Sequence, residues 1–196
     1  MRIASVKRET LETKVEVYVN IDGTGEADID TGISFLNHLL ETLSLYSLID
    51  IKVKSVCVDR FDEHHLAEDT AITLGKAIDQ ALSDRKGIRR FGFSFIPMDD
   101  TLAFVAVDLG GRPYLRFRAS FLSDRVHDLQ LNLIRHILES LAYNGRANIH
   151  ARILYGLDDH HKAEALFKAL GIALRSAVEY DDRAVDKSMS RKGVLG

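Results

Sequence analysis

The chain has 196 residues, 46% of them hydrophobic and 28% charged, with a net charge of −3. That balance supports a buried core, argues against disorder, and leaves no basic run that would recruit nucleic acid. Met1 to Thr10 is charged and unlike a signal sequence, no apolar run approaches the ~18 residues needed to cross a bilayer, and Cys57 has no second cysteine to pair with, so a cytoplasmic protein without membrane contact is expected.

In chain order, Thr13 to Ile21 alternates Val15, Val17, Val19 and Ile21 with Lys14, Glu16, Tyr18 and Asn20, which predicts a strand with one buried face. Asp22-Gly23-Thr24-Gly25 reads as a turn and Glu26 to Asp30 as the returning strand of a hairpin. Ile33 to Leu45 places Phe35, Leu36, Leu39, Leu40 and Leu43 at helical spacing and carries His38. Leu48 to Val58 is a third strand, with Cys57 half-buried in it. Asp59-Arg60-Phe61 then leads into a helix that starts at Asp62-Glu63-His64-His65-Leu66-Ala67-Glu68-Asp69 and ends near Gly87.

The second half follows the same plan. Phe91 to Pro97 reads as an extra strand, Thr101 to Asp108 as a strand, Leu109-Gly110-Gly111-Arg112 as a turn and Pro113 to Ser120 as the return. Leu129 to Tyr143 is a helix carrying His136, Ala147 to Tyr155 a strand, and His160 to Val178 a long helix. Lys86 to Arg90 is too short and charged to be a linker. One domain spanning 1–196 is therefore expected, made of two pseudo-repeats at about 1–87 and 88–180 and a polar tail at 181–196. The fold class expected is α+β: internally duplicated half-domains, with two antiparallel-rich sheets covering a layer of four helices.

The repeat carries the chemistry. His64-His65-x-x-Glu68 recurs as His160-His161-x-x-Glu164, a shift of 96 residues, and each pair has an upstream partner, His38 or His136. A lone histidine at a helix start is usually a cap or surface residue. Six of eight histidines in matched positions, with two glutamates, point instead to metal binding. Helix geometry puts His64 and Glu68 on nearly one face and lets His65 meet Glu68, while His64 and His65 diverge by about 100°. Two metal positions are therefore expected. One would take His38, His65 and Glu68 and borrow His160; the other would take His136, His161 and Glu164 and borrow His64. Exchange of ligands between subunits stays open. Imidazole with carboxylate suits Mn, Fe, Co, Ni or Zn. Asp62, Asp69 and Asp159 read equally as acceptors behind the ligands or as helix caps. Arg90, Arg112 and Lys168 read by default as solvated charges, and Ser190-Arg191-Lys192-Gly193 as a mobile terminus that also has the makings of a phosphate clamp. Glu12 has no local pattern.

These residues resemble the imidazoleglycerol-phosphate dehydratase family. The resemblance runs from about Leu11 to the C-terminus. It rests on Asp22-Gly23-Thr24-Gly25, Phe35-Leu36-Asn37-His38, both HHxxE runs, Arg90-Phe91-Gly92, Pro97-Met98-Asp99, Gly111-Arg112-Pro113-Tyr114, Ala165-x-Phe167-Lys168-Ala169 and Lys192-Gly193-Val194-Leu195. It implies a helix layer between two four-stranded, mostly antiparallel sheets, a ribosomal protein S5 domain 2-like fold. It implies a lyase of L-histidine biosynthesis that converts D-erythro-imidazoleglycerol phosphate to imidazoleacetol phosphate. It further implies two Mn2+ ions per active site, with His38, His64, His65, Glu68, His136, His160, His161 and Glu164 as ligands. The assembly implied is a homo-oligomer of 24 subunits built from trimers, with active sites at subunit contacts. Glu12 and Glu164 are the catalytic carboxylates implied, and Glu12, Arg90, Arg112, Lys168, Ser190 and Lys192 the substrate contacts. The proton to be lost has no carbonyl beside it, so the chemistry calls for cations that stabilise the substrate's imidazolate and a carboxylate that moves protons. The chain departs from the family pattern at Asn37, Thr42, Tyr46-Ser47, Leu66 and Arg191, none of them a proposed ligand. A metal-storage protein and a metal-assisted phosphoester hydrolase are the competing expectations.

Overall fold

The computed structural model describes residues 1–58, 60–185, 187–193 and 195. Asp59, in the expected lead into the second helix, and Asp186, Val194 and Gly196, in the expected tail, lie outside the described residues. The chain opens with a strand that the sequence pattern does not predict, β1 (Ile3–Glu9), antiparallel to β2 (Thr13–Asn20). Its inner residues Ala4, Val6 and Arg8 are only half-buried, so no apolar face stands out in the sequence. The first half continues with β3 (Ala27–Asp30), α1 (Ser34–Ser47), β4 (Asp50–Cys57) and α2 (Glu63–Leu82). The second half has β5 (Phe91–Met98), β6 (Thr101–Asp108), β7 (Tyr114–Arg118), α3 (Asn132–Asn144), β10 (Asn148–Tyr155) and α4 (Asp159–Val178), plus a small hairpin of β8 (Arg125–Val126) and β9 (Leu129–Gln130).

The two large sheets have the same order, β1-β2-β4-β3 and β5-β6-β10-β7. β5 is therefore the counterpart of β1 and not an extra strand. The hairpin expected between β2 and β3 does not form. β4 lies between them, antiparallel to β2 and parallel to β3, and β7 is likewise parallel to β10. A helix-containing crossover, α1 or α3, joins each parallel pair, as parallel pairing requires. β4, with Ile51 and Val53 buried, takes the interior position, while short β3 goes to the edge.

The helices form a layer between the sheets. α2 packs on β1 and β2, α4 on β5 and β6, and across the middle α1 packs along α4 and α2 along α3. Each helix thus lies against one from the other half. Two glycines make this possible. A Cβ on Gly75 of α2 would stand 2.8 Å from the Gly145 nitrogen and 2.9 Å from the Leu141 carbonyl at the end of α3. A Cβ on Gly171 of α4 would stand 2.8 Å from Tyr46 Cβ and 3.1 Å from the Leu43 carbonyl of α1. The two positions are again 96 residues apart, and each follows the HHxxE glutamate by two helical turns, on the same face. Leu36, Leu74, Leu141 and Phe167, one from each helix, surround a void of about 10 Å3 at the centre of a core that runs through both halves.

The junction between halves is held by Arg85, 3% exposed. Its guanidinium donates to the carbonyls of Leu109, Gly145 and Arg146, each at 2.9 Å, and pairs with Asp79. One buried cation therefore joins the end of α2 to the end of α3.

Candidate metal centre and active site

The site is built from four helices, two of which begin with the histidine pairs. Asp62 caps α2 by accepting from the His65 nitrogen at 3.0 Å. Asp158 caps α4, accepting from the nitrogens of His160 at 2.8 Å and His161 at 3.1 Å. Both pairs therefore sit in a first turn, with the glutamate one turn further on. α1 has no cap of its own. Asp128, at the β8–β9 turn, supplies one, accepting from Ser34 N at 2.6 Å and Phe35 N at 2.9 Å. Asp69 and Asp159 do not cap. Asp69 takes Arg8 Nε at 2.7 Å, and Asp159 takes Lys162 Nζ at 2.8 Å and the nitrogens of Leu122 and Ser123, so each ties a neighbouring segment to its histidine turn.

Two groups of potential metal donors result. His38 Nε2 and His160 Nε2 both lie 3.0 Å from Glu164 Oε2. His64 Nε2 lies 4.0 Å from Glu68 Oε2 and His136 Nε2 3.3 Å from Glu68 Oε1, with the His64 and His136 rings stacked at 4.6 Å. Within each group the donor atoms lie no more than 4.8 Å apart. The expected partition of ligands does not hold within one chain. Glu68 joins His64 and His136 rather than His38 and His65, and Glu164 joins His38 and His160 rather than His136 and His161. The reason is the helix layer: the lone histidines ride on α1 and α3, which pack against α4 and α2 of the opposite half.

His65 and His161 point elsewhere. His65 Nδ1 lies 3.3 Å from Glu12 Oε2 and 3.7 Å from Asp62 Oδ2. His161 Nδ1 lies 2.7 Å from Asp100 Oδ1, and its Nε2 lies 3.6 Å from Asp99 Oδ2. The hydrogen bond to Asp100 raises the His161 imidazole above its ordinary value, and the same bond holds the Asp100 carboxyl well below its own.

The donor groups fit a divalent cation. His38 Nε2 and His136 Nε2, one in each group, are buried without a hydrogen-bond partner among the described residues; the 3.0 Å approach of His38 to Glu164 lacks hydrogen-bonding direction. Buried polar atoms are almost always satisfied, and two imidazole nitrogens with a carboxylate oxygen form a transition-metal donor set. Burial works to raise the Glu164 carboxyl, but His38 and Lys168 outweigh it and hold it down at about 2. Lys168 Nζ sits 2.9 Å from Glu164 Oε1 and 5.7 Å over the Tyr46 ring, so one family departure, Tyr46, touches this group through Lys168. Another, Leu66, is simply core.

The remaining expected contacts lie apart. Arg90 donates two parallel hydrogen bonds to Asp108, Nε to Oδ1 at 2.7 Å and Nη2 to Oδ2 at 3.0 Å, and donates to the Met189 carbonyl at 2.5 Å, which brings it to the tail. Ser190 closes a turn, its Oγ accepting from Lys192 N at 3.2 Å. Arg112 is exposed on the β6–β7 loop. Among the described residues, no hydrogen bond or ion pair joins Arg90, Arg112, Ser190 or Lys192 to either histidine group. Sequence reasoning missed Asp100, Asp128 and His127. His127, unmatched in the repeat, stands at the β8–β9 turn with φ +50° and its ring 5.7 Å from that of His160. The recognisable signal for Asp100 is its place in the β5–β6 turn, equivalent to the β1–β2 turn that carries Glu12, and it becomes visible only once β1 is known.

Fold and donor groups together define a class: a duplicated α+β sandwich whose helix layer carries two His2Glu groups fit to hold divalent metal ions. The family profile described as imidazoleglycerol-phosphate dehydratase matches residues 31–174. The imidazoleglycerol-phosphate dehydratase of Chloroflexus aggregans is 53% identical over 99% of this chain and 95% of its own. The crystal structure of IGPD from Pyrococcus furiosus in complex with (S)-C348 superposes with a TM-score of 0.83 at 34% identity, over 97% of this chain and all of that one. The Staphylococcus aureus imidazoleglycerol-phosphate dehydratase structure gives 0.82 at 32% identity, over 91% and 99%. The chain belongs to the imidazoleglycerol-phosphate dehydratase family and is a hydro-lyase of histidine biosynthesis.

Proposed function

We propose that the chain dehydrates D-erythro-imidazoleglycerol phosphate to imidazoleacetol phosphate at a site made from its two donor groups, with Mn2+ as the metal and two ions per site. The observation that carries this reading is the pair of buried, unpartnered ring nitrogens, His38 Nε2 and His136 Nε2, each beside a carboxylate in a matched group. Bound there, the ions would supply positive charge that stabilises the deprotonated imidazole ring of the substrate. Glu164 has both roles open to it, as ligand through one oxygen and as partner of Lys168 through the other.

His65 and His161 complete the ligand set in this reading. Neither reaches a donor group within its own chain, which favours donation to a neighbouring copy and so a homo-oligomer, for which an assembly of 24 subunits built from trimers is proposed. Sites at such contacts would also draw Arg90, Arg112, Ser190 and Lys192, which lie apart from both donor groups in one chain, around the phosphate beside Lys168, which already pairs with Glu164. Glu12 is the proton-transfer carboxylate: its side chain is 62% exposed and, among the described residues, its carboxylate pairs only with His65. The proposed organisation is one cytoplasmic domain with pseudo-repeats at about 1–87 and 88–180 and a tail, 181–196, that closes on the phosphate.

The test is incubation of the Mn2+-loaded protein with imidazoleglycerol phosphate. Formation of the ketone supports the reading. Absence of reaction would mark a metal-storage protein, and release of free phosphate a phosphoester hydrolase. Chelation should abolish turnover and shrink the particle in sedimentation, and Mn2+ should restore both.

A further inference from the structure

In both halves a carboxylate from the turn between the first two strands reaches the second histidine of the motif, but the two copies are built differently. The Glu12 carboxylate approaches His65 from an exposed position and, among the described residues, makes no other hydrogen bond or ion pair; only the Glu12 backbone is tied down, to Thr10 and Val58. Asp100 is engaged at both oxygens. Oδ1 lies 2.7 Å from His161 Nδ1, while Oδ2 accepts from Leu157 N and, at 3.0 Å, from Asp158 N. Those two nitrogens belong to the residues leading into α4, and Asp158 is the cap that orders the His160-His161 turn. The Asp100 carboxylate is thus fixed by backbone donors before it meets the imidazole. An ionised carboxylate can only accept, so His161 Nδ1 must carry a proton, and in the neutral ring the free lone pair is on Nε2.

We propose that Asp100 is a positioning residue for His161: it fixes the ring's orientation and its Nδ1–H tautomer, and so presents Nε2 outward as a metal donor. The inference rests on the reading of His161 as a ligand to an ion shared with another copy. Carboxylate support of this kind fixes the ring and raises its basicity, and its loss typically weakens metal binding 10- to 100-fold. Asp99, the other acidic residue of the turn, lies 3.6 Å from Nε2 with its side chain 78% exposed, so it can turn away from an incoming ion. The contrast with Glu12 separates two tasks within one duplicated device. The carboxylate locked by the backbone orients a ligand, and the unlocked one remains free to move protons.

The test uses the full-length, Mn2+-loaded protein challenged with increasing chelator, the released ion being counted by electron paramagnetic resonance. Asp100→Ala and His161→Ala should each release Mn2+ at about 10- to 100-fold lower chelator concentration than the parent. Asp100→Asn, which keeps one acceptor oxygen, should fall between. The double variant should hold Mn2+ no worse than His161→Ala alone, because Asp100 acts through that ring. If Asp100→Ala and Asp100→Asn match the parent while His161→Ala is weakened, the positioning role is overturned and the ligand reading stands. A double variant worse than His161→Ala by the full Asp100 factor overturns it too, since Asp100 would then be supporting the fold alone. A parent-like His161→Ala removes the ligand reading and the inference with it.

Discussion

Lys168 Nζ stands 2.9 Å from Glu164 Oε1, the oxygen that His38 and His160 leave free, since both of those rings approach Oε2. One carboxylate is therefore shared between a metal-donor group and a cation. Burial alone would raise the Glu164 carboxyl, and His38 and Lys168 reverse that, to about 2. Lys168→Met should remove one of the groups that oppose burial, leaving His38 and His160, so Glu164 takes up a proton at higher pH than in the parent. Metal retained by the loaded protein, followed on acidification, should be lost at higher pH in the variant. Coincident curves would show that Lys168 does not support this carboxylate.

The glycine pair predicts coupled effects on packing and site. Gly75→Ala would push a methyl group into the Gly145 and Leu141 backbone, and Gly171→Ala into Tyr46 and the Leu43 carbonyl. Forcing a methyl into a packed contact costs about 1–3 kcal/mol. Both positions meet rigid atoms at 2.8 Å, the Gly145 nitrogen for position 75 and Tyr46 Cβ, fixed to its own backbone, for position 171, so the two substitutions should destabilise to a similar degree. Each substitution should lower the thermal midpoint and loosen metal in the group one helix pair holds together: His64, Glu68 and His136 for position 75, and His38, His160 and Glu164 for position 171. Equal metal affinity in all three proteins would break the proposed link between helix approach and site geometry.

Asp128 connects stability to pH. Burial works to raise its carboxyl, but hydrogen bonds from Ser34 and Phe35 outweigh burial and leave it below the usual carboxylate value. A depressed carboxylate stabilises the fold above its unfolded value of about 3.9, and that contribution disappears as pH falls through the lower folded value. Asp128→Ala should cost about 1 kcal/mol at pH 7 through loss of the α1 cap. The difference from the parent should shrink as pH drops below about 4, where the parent loses the same interaction. Urea unfolding of both proteins at pH 7 and pH 3 measures this directly, and an unchanged difference would assign the effect to packing.

Glu12 and Glu68 should separate chemistry from metal binding. Glu12→Gln preserves size but cannot exchange a proton near neutrality, so single-turnover rate should drop by about 10²- to 10⁴-fold with metal content intact. Glu68→Gln should instead lose metal from the His64 and His136 group. Near-parent turnover by Glu12→Gln, or metal loss equal to that of Glu68→Gln, would contradict the assignment.

Local periodicity carried much of this protein into view from its sequence. The i, i+4 relation of His64 to Glu68 and of His160 to Glu164 is a property of any helix, so both half-groups were legible, as were the matched lone histidines and the apolar faces of β2, β6 and the four helices. What a sequence cannot show is which helix lies against which. The approach of α2 to α3 and of α1 to α4, through Gly75 and Gly171, sends His136 to Glu68 and His38 to Glu164, across the halves in which their motifs are written. The same limit hid β1, whose inner face is only half covered, and the interior place of β4, which turned an expected hairpin into a parallel pair. It hid Asp100 as well, a turn residue whose partner is 61 positions away. Spacing along one element is set by backbone geometry within a few residues, whereas the meeting of two elements is set by burial of faces and by the small contacts that let them close.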